Sequence, residues 1–174
     1  MNYDMPFPND AILRINLAWI NNLKEFENIL EKYDKYSFFI DLPIKRIKPP
    51  NNKYAIKDII PILKKYSNIK YFAISNVESF EDIEMYVNIL PKHITIVPKI
   101  ESPDGITNIE NILKKLPDNK KIIMLDHDDL FSNLTKRNEP ASNFNEWVNR
   151  LNDYCNKNHI KLLRTRGVIF SDVL

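Results

Sequence analysis

Glycine is scarce in this chain: Gly105 and Gly167 are the only two among 174 residues. A Walker-type phosphate loop and a dinucleotide-binding fingerprint each need several glycines close together, so both are excluded. Cysteine is rarer still. Cys155 stands alone and cannot form an internal disulfide, which makes a reducing cytoplasm the expected compartment. No run of about 18 apolar residues occurs, and no membrane span is expected. Nor is there a basic block. The net charge is +2, and the lysines of "KYAIKD", "ILKKY" and "DNKK" lie among acidic residues, so neither a nucleic-acid nor a membrane-surface patch is expected. The stretch "MNYDMPFPND" is acidic and contains proline, which does not fit a signal peptide.

What is present is the composition of a globular chain, 44% hydrophobic and 28% charged. The length fits one domain, residues 1–174, with a core of its own. Short β-rich runs alternate with longer helical ones. The strand candidates are "AILRINLA", "SFFIDL", "IKYFAIS", "HITIVPKI", "KIIMLD" and "IKLLRT". Between them lie "NNLKEFENILEKY", "IKDIIPILKKY", "SFEDIEMYVNIL", "ITNIENILKKL" and "FNEWVNRLNDYCNKN", whose apolar residues recur at spacings of three and four. Strands alternating with helices of this length imply βαβ units and a parallel sheet. "SPDG" reads as a turn with a helix starting soon after it. Ser79 with Asp82 reads as a capping box. "PIKRIKPPNNKY" and "TKRNEPASN" read as surface loops.

In parallel α/β folds, ligands bind at the carboxyl ends of the strands. Five of the six strand ends here carry charge: Arg14, Asp41, Lys99 with Glu101, Asp129, and Arg166. Along "HITIVPKIES" the side chains alternate, so Thr95, Val97, Lys99 and Glu101 share a face. Glu101 and Asp129 offer hard oxygen ligands suited to Mg²⁺ or Mn²⁺, and Lys99 and Arg14 can offset the negative charge of a carboxylate or phosphate. Each residue also has a plainer role. Asp128 or Asp129 can cap a helix beginning near Leu130. Lys99 and Glu101 can be a rim ion pair, and Arg14 can pair with Asp41. His127 reads as an exposed loop residue and Cys155 as a core thiol. The gathering of polar groups at successive strand ends is what points to a site.

The order of these motifs resembles that of pyruvate kinases. "VPKIESPDGITNIENIL" resembles that family's K-I-E-N stretch, "IIMLDHDDL" its I-M-V-A-R-G-D-L-G, and "LRINLAW" its A-R-L-N-F-S-H. "AISNVESFEDI", "FFIDLPIKRIK" and "CNKNHIKLLRTR" have counterparts in the same order, over about residues 11 to 167. The resemblance implies a parallel (β/α) barrel of the pyruvate kinase type, truncated to six or seven strands. It implies that Lys99 protonates an enolate, that Glu101 and Asp129 hold Mg²⁺ or Mn²⁺, and that Arg14 lies near a transferred phosphoryl group. Asn16 and Asp41 match potassium ligands, and Thr165 matches an active-site threonine.

The departures from that family are equally specific. The nucleotide-closing lid and the C-terminal domain have no counterpart. Ala18, Leu42 and Pro43 replace polar or charged residues, Trp19 replaces a histidine, Glu78 an arginine and Asp128 a glycine. ADP phosphorylation is therefore not expected. The expected function is metal-dependent lyase or transferase chemistry on phosphoenolpyruvate, pyruvate or a related 2-oxo acid. The alternative is a non-catalytic, pyruvate kinase-like binding or regulatory subunit. Because an incomplete barrel leaves open strand edges, a homodimer or a partner chain covering them is expected.

Overall fold

A computed structural model of the chain describes residues 7–44, 50, 52–117 and 121–165. Part of "PIKRIKPPNNKY", Arg166 and "GVIFSDVL" lie outside the described residues. The fold is α/β. Each of the six expected strands forms, and strand order follows chain order. The residues group into two compact units.

The first unit comprises residues 1–73 and 89–95. It contains β1 (Ile12–Asn16), a single 3-10 turn (Leu17–Trp19), α1 (Leu23–Lys32), β2 (Ser37–Leu42), α2 (Ile56–Lys65) and nearly all of β3 (Ile69–Ile74). β1 and β2 are parallel, with Ile12 opposite Ser37 and Asn16 opposite Asp41. Five successive residues of β2, Phe38 to Leu42, are buried, the continuous pattern of a parallel strand covered on both faces. α1 starts where Asn22 and Glu25 cap each other's surroundings: Asn22 Oδ1 accepts from the Glu25 amide at 2.9 Å, and Glu25 Oε2 accepts from the Asn21 amide at 2.9 Å. α1 buries Phe26 and Leu30, and α2 buries Ile59, Ile62 and Leu63.

The second unit comprises residues 74–88 and 96–174. It holds most of α3 (Glu81–Ile89) and of β4 (Thr95–Ile100). It also holds α4 (Pro103–Thr107), α5 (Ile109–Lys114), β5 (Ile122–Asp126), α6 (His127–Lys136), α7 (Asn143–Lys157) and β6 (Lys161–Thr165). β4 runs parallel to β5 with Lys99 opposite Met124, and β5 parallel to β6 with Asp126 opposite Thr165. Asp82 accepts from the amides of Glu78 and Ser79, each at 3.0 Å, and so anchors the entry to α3. Cys155 is buried, as expected of a core thiol, and burial pushes its thiol up to about 11.

Two local readings are corrected. "SPDG" is itself helical: Ser102 caps α4 by accepting from the Gly105 amide, and Pro103 occupies the first helical position, where its missing N–H costs nothing. α6 begins at His127 rather than near Leu130, because its cap is Asp126, which accepts from the Asp129 amide at 3.4 Å. His127 thus opens a helix, with its ring edge-on to Phe144. Among the described residues, no helix is long and apolar enough to cross a membrane.

Gly105 shows why one of the scarce glycines stands where it does. A Cβ at this position meets the Val77 carbonyl oxygen at 2.6 Å and the Ile100 side chain at 3.2 Å. The first contact is with backbone and cannot be relieved by a rotamer. Gly105→Ala is expected to cost about 1–3 kcal/mol, read as a lowered midpoint in urea at unchanged m-value. An unchanged midpoint would show that α4 is not seated on Val77 as described.

Candidate functional site: a buried lysine among three carboxylates

The site lies within the second unit and is built from the ends of β4 and β5, the start of α6, and the turn after β3. Alternation along β4 puts Lys99 and Glu101 on one side, as expected. Both are buried, with 4% and 1% of their surface exposed. The Lys99 ammonium lies 2.7 Å from Glu101 Oε1 and 4.0 Å from Asp126 Oδ2. It also donates to Ser75 Oγ at 3.1 Å.

Glu101 is held by its other oxygen. The Asn76 amide donates to Glu101 Oε2 at 2.7 Å. Asn76 has φ of 54°, the left-handed region that asparagine tolerates better than most residues. That conformation turns its N–H toward β4. On the far side, Asn133 Nδ2 donates to the Glu101 carbonyl at 2.8 Å and to the Asp129 carbonyl at 3.3 Å, tying α6 to the end of β4. Glu101 Oε1 is buried against the Lys99 ammonium, its ion-pair partner.

Glu101, Asp126 and Asp129 each offer a carboxylate oxygen, and these atoms lie within 4.8 Å of one another. Glu101 is buried, whereas Asp126 and Asp129 are part-exposed. The exposed side of the cluster is that of β5 and α6. Burial pushes the Glu101 carboxyl up to about 7. Lys99 and the Asn76 amide pull it down, and Asp129 adds to the rise. An anion held this far above its usual value gains most from a positive charge.

Of the residues singled out in the sequence, the structure brings together Lys99, Glu101 and Asp129. It adds Asp126, Ser75, Asn76 and Asn133, which sequence reasoning missed. Asp126 had a readable signal as the last residue of "KIIMLD". Asn133 lies one helical turn after Asp129. Nothing in the sequence marks the backbone of Asn76. Arg14, Asn16 and Asp41 belong to the first unit. There Arg14 pairs with the fully buried Asp41, and Asn16 Oδ1 accepts from the Ala18 amide at 3.0 Å to cap the 3-10 turn. Thr165 sits in β6 opposite Asp126.

No protein-family model matches the chain, and no curated protein matches it. Solved structures do. The chain is similar to RipC from Yersinia pestis, with a TM-score of 0.65 and 16% identity, over 93% of this chain and 73% of that one. It is also similar to a variant of the citrate synthase SbnG, with a TM-score of 0.66 and 14% identity, over 90% of this chain and 67% of that one. At these identities the likeness is one of fold. It corrects the resemblance to pyruvate kinase, since neither neighbour is a pyruvate kinase. The physical reason is visible in the structure. The motifs that carry the resemblance are short, and those with charged residues fall at the carboxyl ends of parallel strands, where polar residues gather in many α/β folds. Their order follows the order of the strands and is not the mark of one family. The roles lent by that resemblance to Arg14, Asn16, Asp41 and Thr165, and the protonation of an enolate lent to Lys99, lose its support. The parallel α/β architecture of six strands stands.

Proposed function

We propose that the chain is a metal-dependent enzyme that binds a small 2-oxo acid as its enol or enolate and carries out lyase or transferase chemistry. The observation that carries this reading is the buried Lys99 ammonium set against the carboxylates of Glu101, Asp126 and Asp129. The donor set fits a hard divalent cation such as Mg²⁺ or Mn²⁺: all three groups are carboxylates, and they bring one oxygen each within 4.8 Å of one another. Glu101, Asp126 and Asp129 are the residues that would hold the ion. When bound, such an ion stabilises negative charge on an enolate oxygen.

The remaining chemistry belongs to the chain's own residues. Lys99 is the general acid or base that holds the proton exchanged with the enolate. Ser75 accepts from it and fixes the direction of its ammonium group. The Asn76 amide keeps Glu101 from turning away. The buried flank formed by Lys99 and Glu101 excludes water, while Asp126 and Asp129 keep the entry polar. The fold neighbour SbnG is a citrate synthase, an enzyme whose product is a small carboxylic acid, and this is consistent with the proposed class.

Thermal unfolding with Mn²⁺ and oxalate, a dianion shaped like an enolpyruvate, tests the reading. A ligand that binds only the folded state stabilises it by about 2.7 kcal/mol at a hundred times its dissociation constant. The midpoint is expected to rise by several degrees in the wild type and not in Glu101→Ala. Equal shifts in the two proteins, or none in either, would overturn the proposal.

A further inference from the structure

The position of Lys99 has a consequence for how this site loads, and it rests on the metal-enzyme reading above. The ammonium is not beside the carboxylate cluster but engaged with it. It touches Glu101 Oε1 at 2.7 Å and stands 4.0 Å from Asp126 Oδ2. Those are two of the three groups that a divalent cation would share. Glu101 Oε2 is already taken by the Asn76 amide at 2.7 Å. Oε1 is therefore the oxygen left for a cation, and it is the one that Lys99 occupies.

Two cations cannot both lie against one buried oxygen without strong repulsion, because the screening that water provides is missing there. Lys99 has somewhere else to go. It donates to Ser75 Oγ at 3.1 Å, so it can give up Glu101 and keep a hydrogen bond. Once it has done so, its charge has lost its main counter-ion. Asp126 Oδ2, at 4.0 Å, belongs to the same cluster and would share the metal's charge, which leaves an anionic oxygen bound beside the metal as a new counter-charge for Lys99.

We propose that Lys99 is the resident cation of this cluster. A divalent ion must displace it from Glu101, and the displaced ammonium then receives the anionic oxygen of the bound 2-oxo acid. Lys99 thereby weakens the binding of metal alone and strengthens the binding of ligand to the metal-loaded protein. The two effects of removing its charge have opposite signs, which no purely structural role for a buried lysine produces.

The experiment is calorimetric titration of the full chain with Mg²⁺, then of the Mg²⁺-saturated protein with oxalate, for wild type and Lys99→Met. It is done at about pH 9, well above the Glu101 carboxyl, so that protons compete little for the cluster. Lys99→Gln accompanies it as a neutral variant that can still hydrogen-bond Ser75 and Glu101, in case the methionine variant does not fold. The expected result in either variant is Mg²⁺ binding at least about tenfold tighter and oxalate binding at least about tenfold weaker than in wild type. Mg²⁺ affinity that is unchanged or lower in a folded variant overturns the resident-cation role while leaving the metal-enzyme reading in place. Absence of Mg²⁺ binding in all three proteins overturns both.

Discussion

Lys99→Ala is expected to destabilise the protein by about 3–5 kcal/mol at about pH 8, the usual cost of removing one partner from a buried ion pair. The magnitude follows from what the truncation leaves behind. Glu101 is 1% exposed, and its Oε1 has the Lys99 ammonium as its ion-pair partner. Without that ammonium, a buried carboxylate faces Asp126 and Asp129 with the Asn76 amide as its remaining donor. Ser75 Oγ loses its donor as well. The loss has a ceiling, because Glu101 can take up a proton instead of remaining charged. The same truncation is therefore expected to cost less at about pH 5. Denaturant unfolding at the two pH values measures both. A cost below about 1 kcal/mol at the higher pH, the range of an exposed pair, would show that the pair is not buried as described.

The second large effect is a pH dependence centred on Glu101. Burial raises its folded-state carboxyl from 4.5 to about 7. Between those values the folded protein keeps a proton that the unfolded chain releases. Stability from this group is full below the unfolded value and falls as pH rises toward 7. At 1.36 kcal/mol per unit, the fall amounts to about 3 kcal/mol across the window. Glu27, held low by Lys65, and Asp104, held low by Arg137, favour folding as pH rises, but their gain is made below their unfolded values of 4.5 and 3.8, at the acid edge of this window. The readout is thus the difference between wild type and Glu101→Gln in chelator-containing buffer. The wild type is expected to lose stability relative to the variant from about pH 4.5 to about pH 7. A flat difference would place Glu101 in contact with water.

Much of the fold was legible because period and composition agree. Each β-rich run became a strand, and the structure shows "SFFIDL" to be buried continuously from Phe38 to Leu42. The helix starts were harder, since caps are matters of one side chain. Asp126, Asp128 and Asp129 are equivalent as letters. Only the end of β5 decides that Asp126 caps α6 and leaves Asp129 facing the cluster. The pairing of Lys99 with Glu101 was legible from alternation along one strand. The third carboxylate, and the Asn76 amide that fixes Glu101, depend on which strand lies beside which, and no spacing in the sequence records that. The resemblance to pyruvate kinase failed for a related reason: short polar motifs at strand ends report an architecture shared by many enzymes.

Glu101, Asp126 and Asp129 are proposed to hold one divalent cation together. A crystal of the protein prepared with Mn²⁺ and measured for anomalous scattering tests it most directly. The predicted result is an anomalous peak within about 2.6 Å of carboxylate oxygens from all three residues, with Lys99 withdrawn toward Ser75. A peak bound elsewhere, or none at this cluster with Lys99 still seated on Glu101, would contradict it.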